Sequence, residues 1–134
     1  MVQLTQNKIL RIARPTDNLK EISEMYRRGL GFNILAQFEN HNGFDGIILG
    51  HPRQNYHIEF THHKGTKVGK APTKDNLLVF YIPDPKEWEL ICKRLEEAGF
   101  KNVDSYNPYW NINGRTFEDL DAYRVVIQNQ NWEH

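Results

Sequence analysis

The sequence predicts an α+β fold in which paired βαβββ modules form a curved eight-stranded mixed sheet around a central cleft, with the helices outside. A strand, a capped helix and a Gly-Phe pair occur in that order near the start of the chain and again in its second half. Asp84, the second predicted helix cap, follows Asn18, the first, by 66 residues, and the two Gly-Phe pairs are 68 residues apart. A near-constant spacing of this kind indicates a duplicated structural unit.

Length and charge limit the possible classes of protein. A chain of 134 residues with 39% hydrophobic content can bury one core, so we expect a single domain over residues 1–134. Within it, module one spans about 8–62, a linker spans 63–75 and module two spans about 76–129. Lysine plus arginine equals aspartate plus glutamate at 17 each, so no overall field favours nucleic acid as a partner.

The sequence also argues against membrane insertion and disulfide chemistry. Residues 1–8 lack a basic start followed by an apolar run, and no later stretch approaches the roughly 18 apolar residues of a membrane span. We therefore expect a cytoplasmic protein without a membrane partner. Cys92 is the single cysteine, which excludes an internal disulfide, and its place on an apolar helix face predicts a buried, inert thiol.

The first module starts with a predicted strand at residues 8–14, which Pro15 should end. Asn18 is a predicted N-cap, with Glu21 at the third helical position to complete a capping box. Three further strands are predicted at 32–38, 43–49 and 56–61, separated by turn-forming residues. The apolar stripe of the helix consists of Leu19, Ile22, Met25, Tyr26 and Leu30.

The linker and second module follow. Residues 62–74 are rich in Lys, Gly, Thr and Pro, which is more typical of a flexible, solvated connector than of a site for an anionic partner. A strand at 76–82 precedes Asp84, a predicted N-cap with Pro85 in the first helical position and Glu87 in the third. The helical stripe consists of Trp88, Ile91, Cys92, Leu95 and Ala98.

The last quarter of the chain predicts a strand, a tight turn at 119–122 and a closing strand. Alternation in that strand places Tyr123, Val125 and Ile127 on one face. The other face carries Arg124, Val126 and Gln128. One helix covers only one face of a four-stranded sheet, so the remaining faces should line a cavity where the first and last strands of the two modules meet.

These patterns together resemble the vicinal oxygen chelate superfamily, which includes glyoxalase I, bleomycin-resistance proteins, fosfomycin-resistance enzymes and extradiol dioxygenases. The likeness extends from about residue 8 to 128. It rests on the strand, cap, helix and Gly-Phe pattern at 11–32, its repeat at 77–100, the Tyr-His-Ile-Glu-Phe strand at 56–60 and the ending at 117–126. The resemblance implies a homodimer and a small molecule as ligand or substrate.

In metal-dependent members of that superfamily, the resemblance implies a divalent cation held by one side chain on the first and last strand of each module. The matching positions here are Arg11, Glu59, Leu77 and Val126. Zinc sites use at least three protein ligands, and an arginine places a positive charge where the cation would sit. We therefore expect no metal and no other cofactor. The alternative is a divalent metal at a variant site with His57 and Glu59, helped by another histidine.

Arg11 and Glu59 should form a charge-assisted pair across two strands. It is either a structural staple in place of the metal or a clamp for an anionic ligand. His57 and Glu59 are candidate acid–base residues, although no catalytic residue is assigned. Tyr109 and Trp110 are candidates for an aromatic wall over the cavity. The predicted ligand-binding set is Arg11, His57, Glu59, Leu77, Tyr109, Trp110, Arg124 and Val126.

Three functions fit this reading. The first hypothesis is a glyoxalase-like or bleomycin-resistance-like protein that binds a small molecule in the sheet cleft without the usual metal. The alternative is a metal-dependent lyase or dioxygenase-like enzyme with a variant metal site, so enzyme activity is left open. A third is an interaction module without a ligand. Fold alone cannot choose among them, nor does the sequence name the ligand or say how the chains of a dimer are arranged.

Overall fold

The structure is a computed structural model that describes residues 8–132. The prediction made for residues 1–8 therefore lies, apart from Lys8, outside the described residues. The first module comprises β1 (Leu10–Pro15), α1 (Leu19–Leu30), β2 (Asn33–His41), β3 (Phe44–Gly50) and β4 (Tyr56–His63). The second comprises β5 (Leu77–Tyr81), α2 (Pro85–Glu97), β6 (Lys101–Val103), α3 (Tyr109–Ile112), β7 (Gly114–Glu118) and β8 (Arg124–Gln128).

Each module forms its own four-stranded mixed sheet, which confirms the predicted duplicated α+β architecture. The strand orders are β1-β4-β3-β2 and β5-β8-β7-β6. In both sheets the first strand runs parallel to the last, and the remaining pairs are antiparallel. The eight strands are hydrogen-bonded as two sheets and not as one continuous sheet, since no ladder among the described residues joins β1 to β5.

The helix ends follow local sequence signals, with one exception. Gly31 ends α1 in the left-handed conformation with φ of 72°, and the Asp84 carboxylate accepts a hydrogen bond from the Glu87 backbone at 3.0 Å. The predicted capping box of α1 is wrong. Asn18 makes no capping bond, because its side chain is turned toward the second module, where its amide group donates a charge-assisted hydrogen bond to the Asp121 carboxylate at 2.8 Å.

One hydrophobic core serves both modules. The helices pack directly on each other, and Gly29 permits this contact because an added Cβ would lie 2.8 Å from Leu95. Val125 and Ile127 point into the core, as the alternation in the last strand predicted. The buried core consists of Ile22, Tyr26, Phe32, Leu49, Ile58, Phe60, Cys92, Leu95, Ala98, Phe100, Phe117, Val125 and Ile127.

Two connecting segments differ from simple loops. Residues 109–112 form the short helix α3, which the sequence analysis did not predict. The linker has no helix or strand, but the backbone N–H groups of Val68 and Gly69 donate to the Asp17 carboxylate at 3.0 and 2.9 Å. The linker is thus anchored to the first module. Within residues 8–132, none of the helices has both the length and the apolar character needed to cross a bilayer.

Candidate functional site

Each sheet has a second face, turned away from the shared core, which we call its open face. Strand pairing places Arg11 beside His57, with Glu59 two residues further along β4, on the open face of the first sheet. On the second sheet, pairing places Leu77 beside Arg124 and Val126 two residues further along β8. These are the open-face positions that the sequence predicted for a ligand.

The polar residues of the first open face form one cluster. The Arg11 Nε group donates to His57 Nδ1 at 3.3 Å, and Arg11 Nη1 lies 3.7 Å from Glu59 Oε2. A histidine that accepts at Nδ1 is neutral and carries its proton on Nε2, where it can donate. The Arg11 side chain is 46% exposed whereas that of Glu59 is 14% exposed. Glu59 and His57 therefore orient a guanidinium that still reaches solvent.

The donor groups at the four expected metal positions do not fit a divalent ion. Glu59 is the one ligand among them, Arg11 is a fixed cation beside it, and Leu77 and Val126 are apolar. Across residues 8–132, no group of three or more His, Cys, Asp or Glu side chains is arranged to hold a metal ion. A metal would need ligands from elsewhere or a rearrangement of this cluster.

The second open face is covered along β7 and β8, where Thr116, Val126 and Gln128 are buried, and its one arginine is already engaged. Arg124 donates from Nε to Glu118 Oε2 at 3.1 Å and from Nη1 to the Asp104 carbonyl at 3.2 Å. Only 7% of the Arg124 side chain is exposed. Sequence reasoning missed Glu118, although opposite charges on either side of a predicted hairpin turn were a usable signal. Arg124 thus supports the hairpin more directly than it offers a ligand contact.

Two buried polar atoms lie beside Val126 on the same open face. Thr116 Oγ1 and Gln128 Oε1 have no hydrogen-bond partner among the described residues. Thr116 is the strand partner of Val126, and Gln128 follows Val126 by two residues on the same face of β8. Both polar side chains are therefore neighbours of Val126. Buried polar atoms of this kind usually bind a water or a ligand group. Sequence analysis placed Gln128 on this face but did not identify Thr116.

Tyr109 and Trp110 lie on α3, at the far end of the second sheet. Their rings meet edge to face with centroids 4.9 Å apart, and Tyr109 is 53% exposed. The Trp110 carbonyl lies 2.9 Å from where a Cβ on Gly114 would be. This contact sets α3 against the end of β7 where Gly114 meets Gln128. Neither aromatic residue lines the pockets between β1 and β5, so the structure does not bring them over the predicted cavity.

The first strands of the two modules lie side by side along a gap, which we call the β1–β5 seam. One pocket in it is lined by residues 12–15 of β1 with 76–78 of the second module, and another by Leu10 and Ile12 with residues 78–80. Later residues of β1 share a pocket with earlier residues of β5, so the two strands run in opposite directions along the seam. Arg11 and Leu77 consequently stand on the two strands that flank the seam.

The sequence matches one protein family over both halves. Residues 10–61 match the YycE-like N-terminal domain, and residues 75–129 match the YycE-like C-terminal domain. An uncharacterized protein YycE from Bacillus subtilis (strain 168) is 43% identical over 120 residues, which cover 90% of this chain and 86% of that protein. The crystal structure of a YycE protein of unknown function from the same species aligns with a TM-score of 0.87 and 41% identity, over 96% of this chain and 93% of that one.

More distant structures share the fold. The trypanothione-dependent glyoxalase I of Leishmania major aligns with a TM-score of 0.69 and 15% identity, over 93% of this chain and 88% of that one. TnmS3, an antibiotic binding protein from Streptomyces sp. CB03234, aligns with a TM-score of 0.64 and 16% identity, over 94% and 98%. Both comparisons agree with the predicted vicinal oxygen chelate fold. The matches to the YycE-like N-terminal and C-terminal domains show that this chain belongs to the YycE-like family.

Proposed function

We propose that this chain binds an amphipathic small molecule on the open faces beside the β1–β5 seam, without the divalent metal of metal-dependent superfamily members. The observation that carries the proposal is the cluster of Arg11, His57 and Glu59. It places a partly exposed guanidinium at one of the positions where those members hold a metal ligand.

The chemistry of the two faces suggests the kind of ligand. Arg11 can give charge-assisted hydrogen bonds to a carboxylate, with Glu59 fixing its orientation and the His57 Nε2–H as an additional donor. Leu77 is half-buried and lines the seam, so it offers apolar surface to the remainder of the molecule, whereas Val126 is fully buried and is not available to a ligand. The antibiotic binding protein TnmS3 has the same fold, which supports a binding role without assigning its ligand to this chain.

A homodimer is part of this proposal. β1 and β2 are edge strands of the first sheet, and several of their apolar side chains are exposed: Leu10 by 60%, Ile34 by 46% and Leu35 by 37%. Exposed apolar edges favour association with another chain. A second copy along the β2 edge would cover Ile34 and Leu35, whereas Leu10 faces the seam within its own chain.

The second candidate is a metal-dependent lyase or dioxygenase-like enzyme. It is favoured by one observation, which is that His57 and Glu59 lie two residues apart on one face of β4. Two donors are too few for a stable site, and Arg11 already contacts both of them. The metal-free binding function is therefore the better supported of the two.

Titration calorimetry with 2-naphthoate and 2-naphthamide would test the binding function. The two probes share a ring system and differ in charge, so Arg11 should favour 2-naphthoate, and Arg11→Met should remove that preference. Arg27→Met is the matched control, because Arg27 pairs with Glu24 on the exposed surface of α1. Equal binding of 2-naphthoate by the wild type and Arg11→Met would contradict the proposed role of Arg11.

Elemental analysis of the purified protein and melting temperatures with Ni²⁺, Zn²⁺, Mn²⁺ and Fe²⁺ test the metal alternative. The metal-free proposal predicts no stoichiometric metal and no stabilisation. A bound metal, or a rise in melting temperature that Glu59→Gln abolishes, would favour the enzyme. A broad ligand screen without any binding would instead favour an interaction module.

A further inference from the structure

A separate cavity of about 240 Å³ lies between the two modules on the core side of the sheets. It opens where the C-terminus of α1 and the β3–β4 connection of the first module meet α2 of the second. Its walls are therefore created only when the modules pack together. The lining residues include Phe32, Tyr56, Phe80, Ile91 and Ile127.

Aromatic side chains form one wall of this cavity. The rings of Phe32 and Tyr56 meet nearly at right angles with centroids 6.3 Å apart, and those of Tyr56 and Phe80 are 6.1 Å apart. Tyr56 and Phe80 are only partly buried, so they present apolar surface to the cavity. Ring pairs at these distances and angles can receive a further aromatic ring in the same edge-to-face manner.

The cavity shares two of its lining residues with a pocket in the β1–β5 seam. Tyr56 and Phe80 also line the seam pocket of about 250 Å³, whose other walls are apolar side chains of β1 and β5. An apolar cavity of about 150 Å³ is already large enough to bind benzene. The interface cavity, at about 240 Å³, therefore has room for two fused rings.

The rim of the cavity is polar and carries one negative charge. Glu87, His51 and Gln54 stand there, and all three are exposed. His51 accepts a hydrogen bond from the Arg53 backbone at Nδ1, which leaves its Nε2–H as a donor. Glu87 is the one charged side chain among the lining residues, so the rim favours a cationic group.

One opposing charge lies near the other end of the cavity. The Arg94 guanidinium rests against Gly31, where an added Cβ would lie 2.8 Å from Nη2. Arg94 is seven residues after Glu87 on α2, which separates the two by about 10 Å along the helix axis. Arg94 would attract an anionic ligand and Glu87 a cationic one. The charge of the ligand that binds more tightly therefore shows which of the two residues controls binding.

We propose that this interface cavity is a second small-molecule site, independent of the open-face site, that takes a planar aromatic amine. The ring system occupies the space beside Phe32, Tyr56 and Phe80, and the ammonium group lies at the Glu87 carboxylate. Binding would link the modules through residues of both. It would not involve the Arg11 cluster, which lies on the opposite face of the first sheet.

Calorimetric titration of the full chain with tryptamine, indole and indole-3-acetate tests this site, because the probes share one ring system and differ in charge. We expect tryptamine to bind at least tenfold more tightly than indole-3-acetate. Glu87→Gln should remove that preference, whereas Glu96→Gln, an exposed glutamate of the same helix outside the cavity, should preserve it.

Filling the cavity provides the second arm of the test. Ile91→Trp should weaken tryptamine binding at least tenfold. If Ile91→Trp lowers the melting temperature, the same measurement is made on Gln54→Trp, which fills the cavity from its exposed rim. Absence of tryptamine binding at millimolar concentration would overturn the proposal, as would tighter binding of indole-3-acetate. Binding that survives both tryptophan variants but is lost in Glu59→Gln would place the amine on the open face and also overturn it.

Discussion

The Arg14 guanidinium and the Asp119 carboxylate form a buried ion pair between the two modules, with Nη2 2.8 Å from Oδ2, although 105 residues separate them. Asp119 also accepts a hydrogen bond from the Tyr26 hydroxyl at 2.7 Å. Burial raises the pKa of Tyr26, which keeps its proton available for this bond. The Arg14 guanidinium lies 3.9 Å from the ring centre of Tyr123. The pair fastens β1 to the turn that precedes β8.

Removing one partner of this pair should be costly. Asp119→Ala leaves the Arg14 charge buried without its carboxylate, so we expect the free energy of unfolding to fall by about 3–5 kcal/mol. Urea denaturation measures the change. Glu24→Ala, which breaks the exposed pair with Arg27, is the control and should cost less than about 1 kcal/mol. Equal losses in the two variants would refute the structural importance of the buried pair.

The pair of Arg11 and Glu59 should behave differently. Because Arg11 is 46% exposed and the closest atoms are 3.7 Å apart, Arg11→Met should change the free energy of unfolding by less than about 1 kcal/mol. Urea denaturation of Arg11→Met, Glu59→Gln and the double variant gives the coupling energy. A coupling energy of several kcal/mol would show that the pair is a structural staple and not a ligand clamp.

Substitution of Asn18 tests whether its side chain joins the two modules or caps α1. Aspartate is as good an N-cap as asparagine, so Asn18→Asp would be harmless if the side chain capped α1. In the structure the Asn18 side chain donates to the Asp121 carboxylate at 2.8 Å. We therefore expect Asn18→Asp to destabilise the protein by about 1–3 kcal/mol, since it sets two carboxylates against each other and removes a donor. Unchanged thermal stability would show that this contact does not matter.

The linker anchor should depend on pH. Hydrogen bonds from the Val68 and Gly69 backbone lower the pKa of Asp17 below its ordinary value of 3.8. The folded-state pKa is thus below the unfolded one, so the stabilisation is present above pH 3.8 and is lost as pH falls through the folded-state value. Amide exchange protection at Val68 and Gly69, corrected for intrinsic rates, should fall over that range.

A matched pair of variants identifies the group responsible for that pH effect. Asp17→Ala should abolish the protection of these amides at neutral pH. Asp75→Ala changes an exposed acid at the other end of the linker and should leave the protection unchanged. Protection that persists in Asp17→Ala would mean that the linker is held by other contacts.

Cys92 should be unreactive in the folded protein. The residue is 1% exposed, and desolvation raises the pKa of its thiol from 9.0 to about 11. This higher pKa lowers the thiolate fraction at pH 8 by roughly 100-fold. We expect a thiol reagent such as dithionitrobenzoate to react at least 100-fold more slowly with the native protein than with the urea-unfolded chain. Rates within tenfold of each other would show that the thiol is accessible.

Much of the fold could be predicted because its signals are local. Apolar periodicity identified both long helices, and the Asp84 cap with Pro85 identified where α2 begins. Strand alternation also placed Val125 and Ile127 in the core and Val126 on the open face. Within the site, the proximity of Arg11 to Glu59 followed from their strand positions, but their closest atoms are 3.7 Å apart and the Arg11 hydrogen bond goes to His57. These features depend on residues near one another in sequence or on regular strand geometry.

Other features could not be predicted because they join distant segments. Asn18 looks like an N-cap until the docking of the second module supplies a charged acceptor. Arg124 looks like a ligand contact until strand pairing brings Glu118 against it. The sequence by itself therefore determined the duplicated modules and the character of each strand face. Only the tertiary structure decided how the modules meet, and hence the Arg14–Asp119 pair and the interface cavity, because their partners are brought together by packing and not by any local repeat.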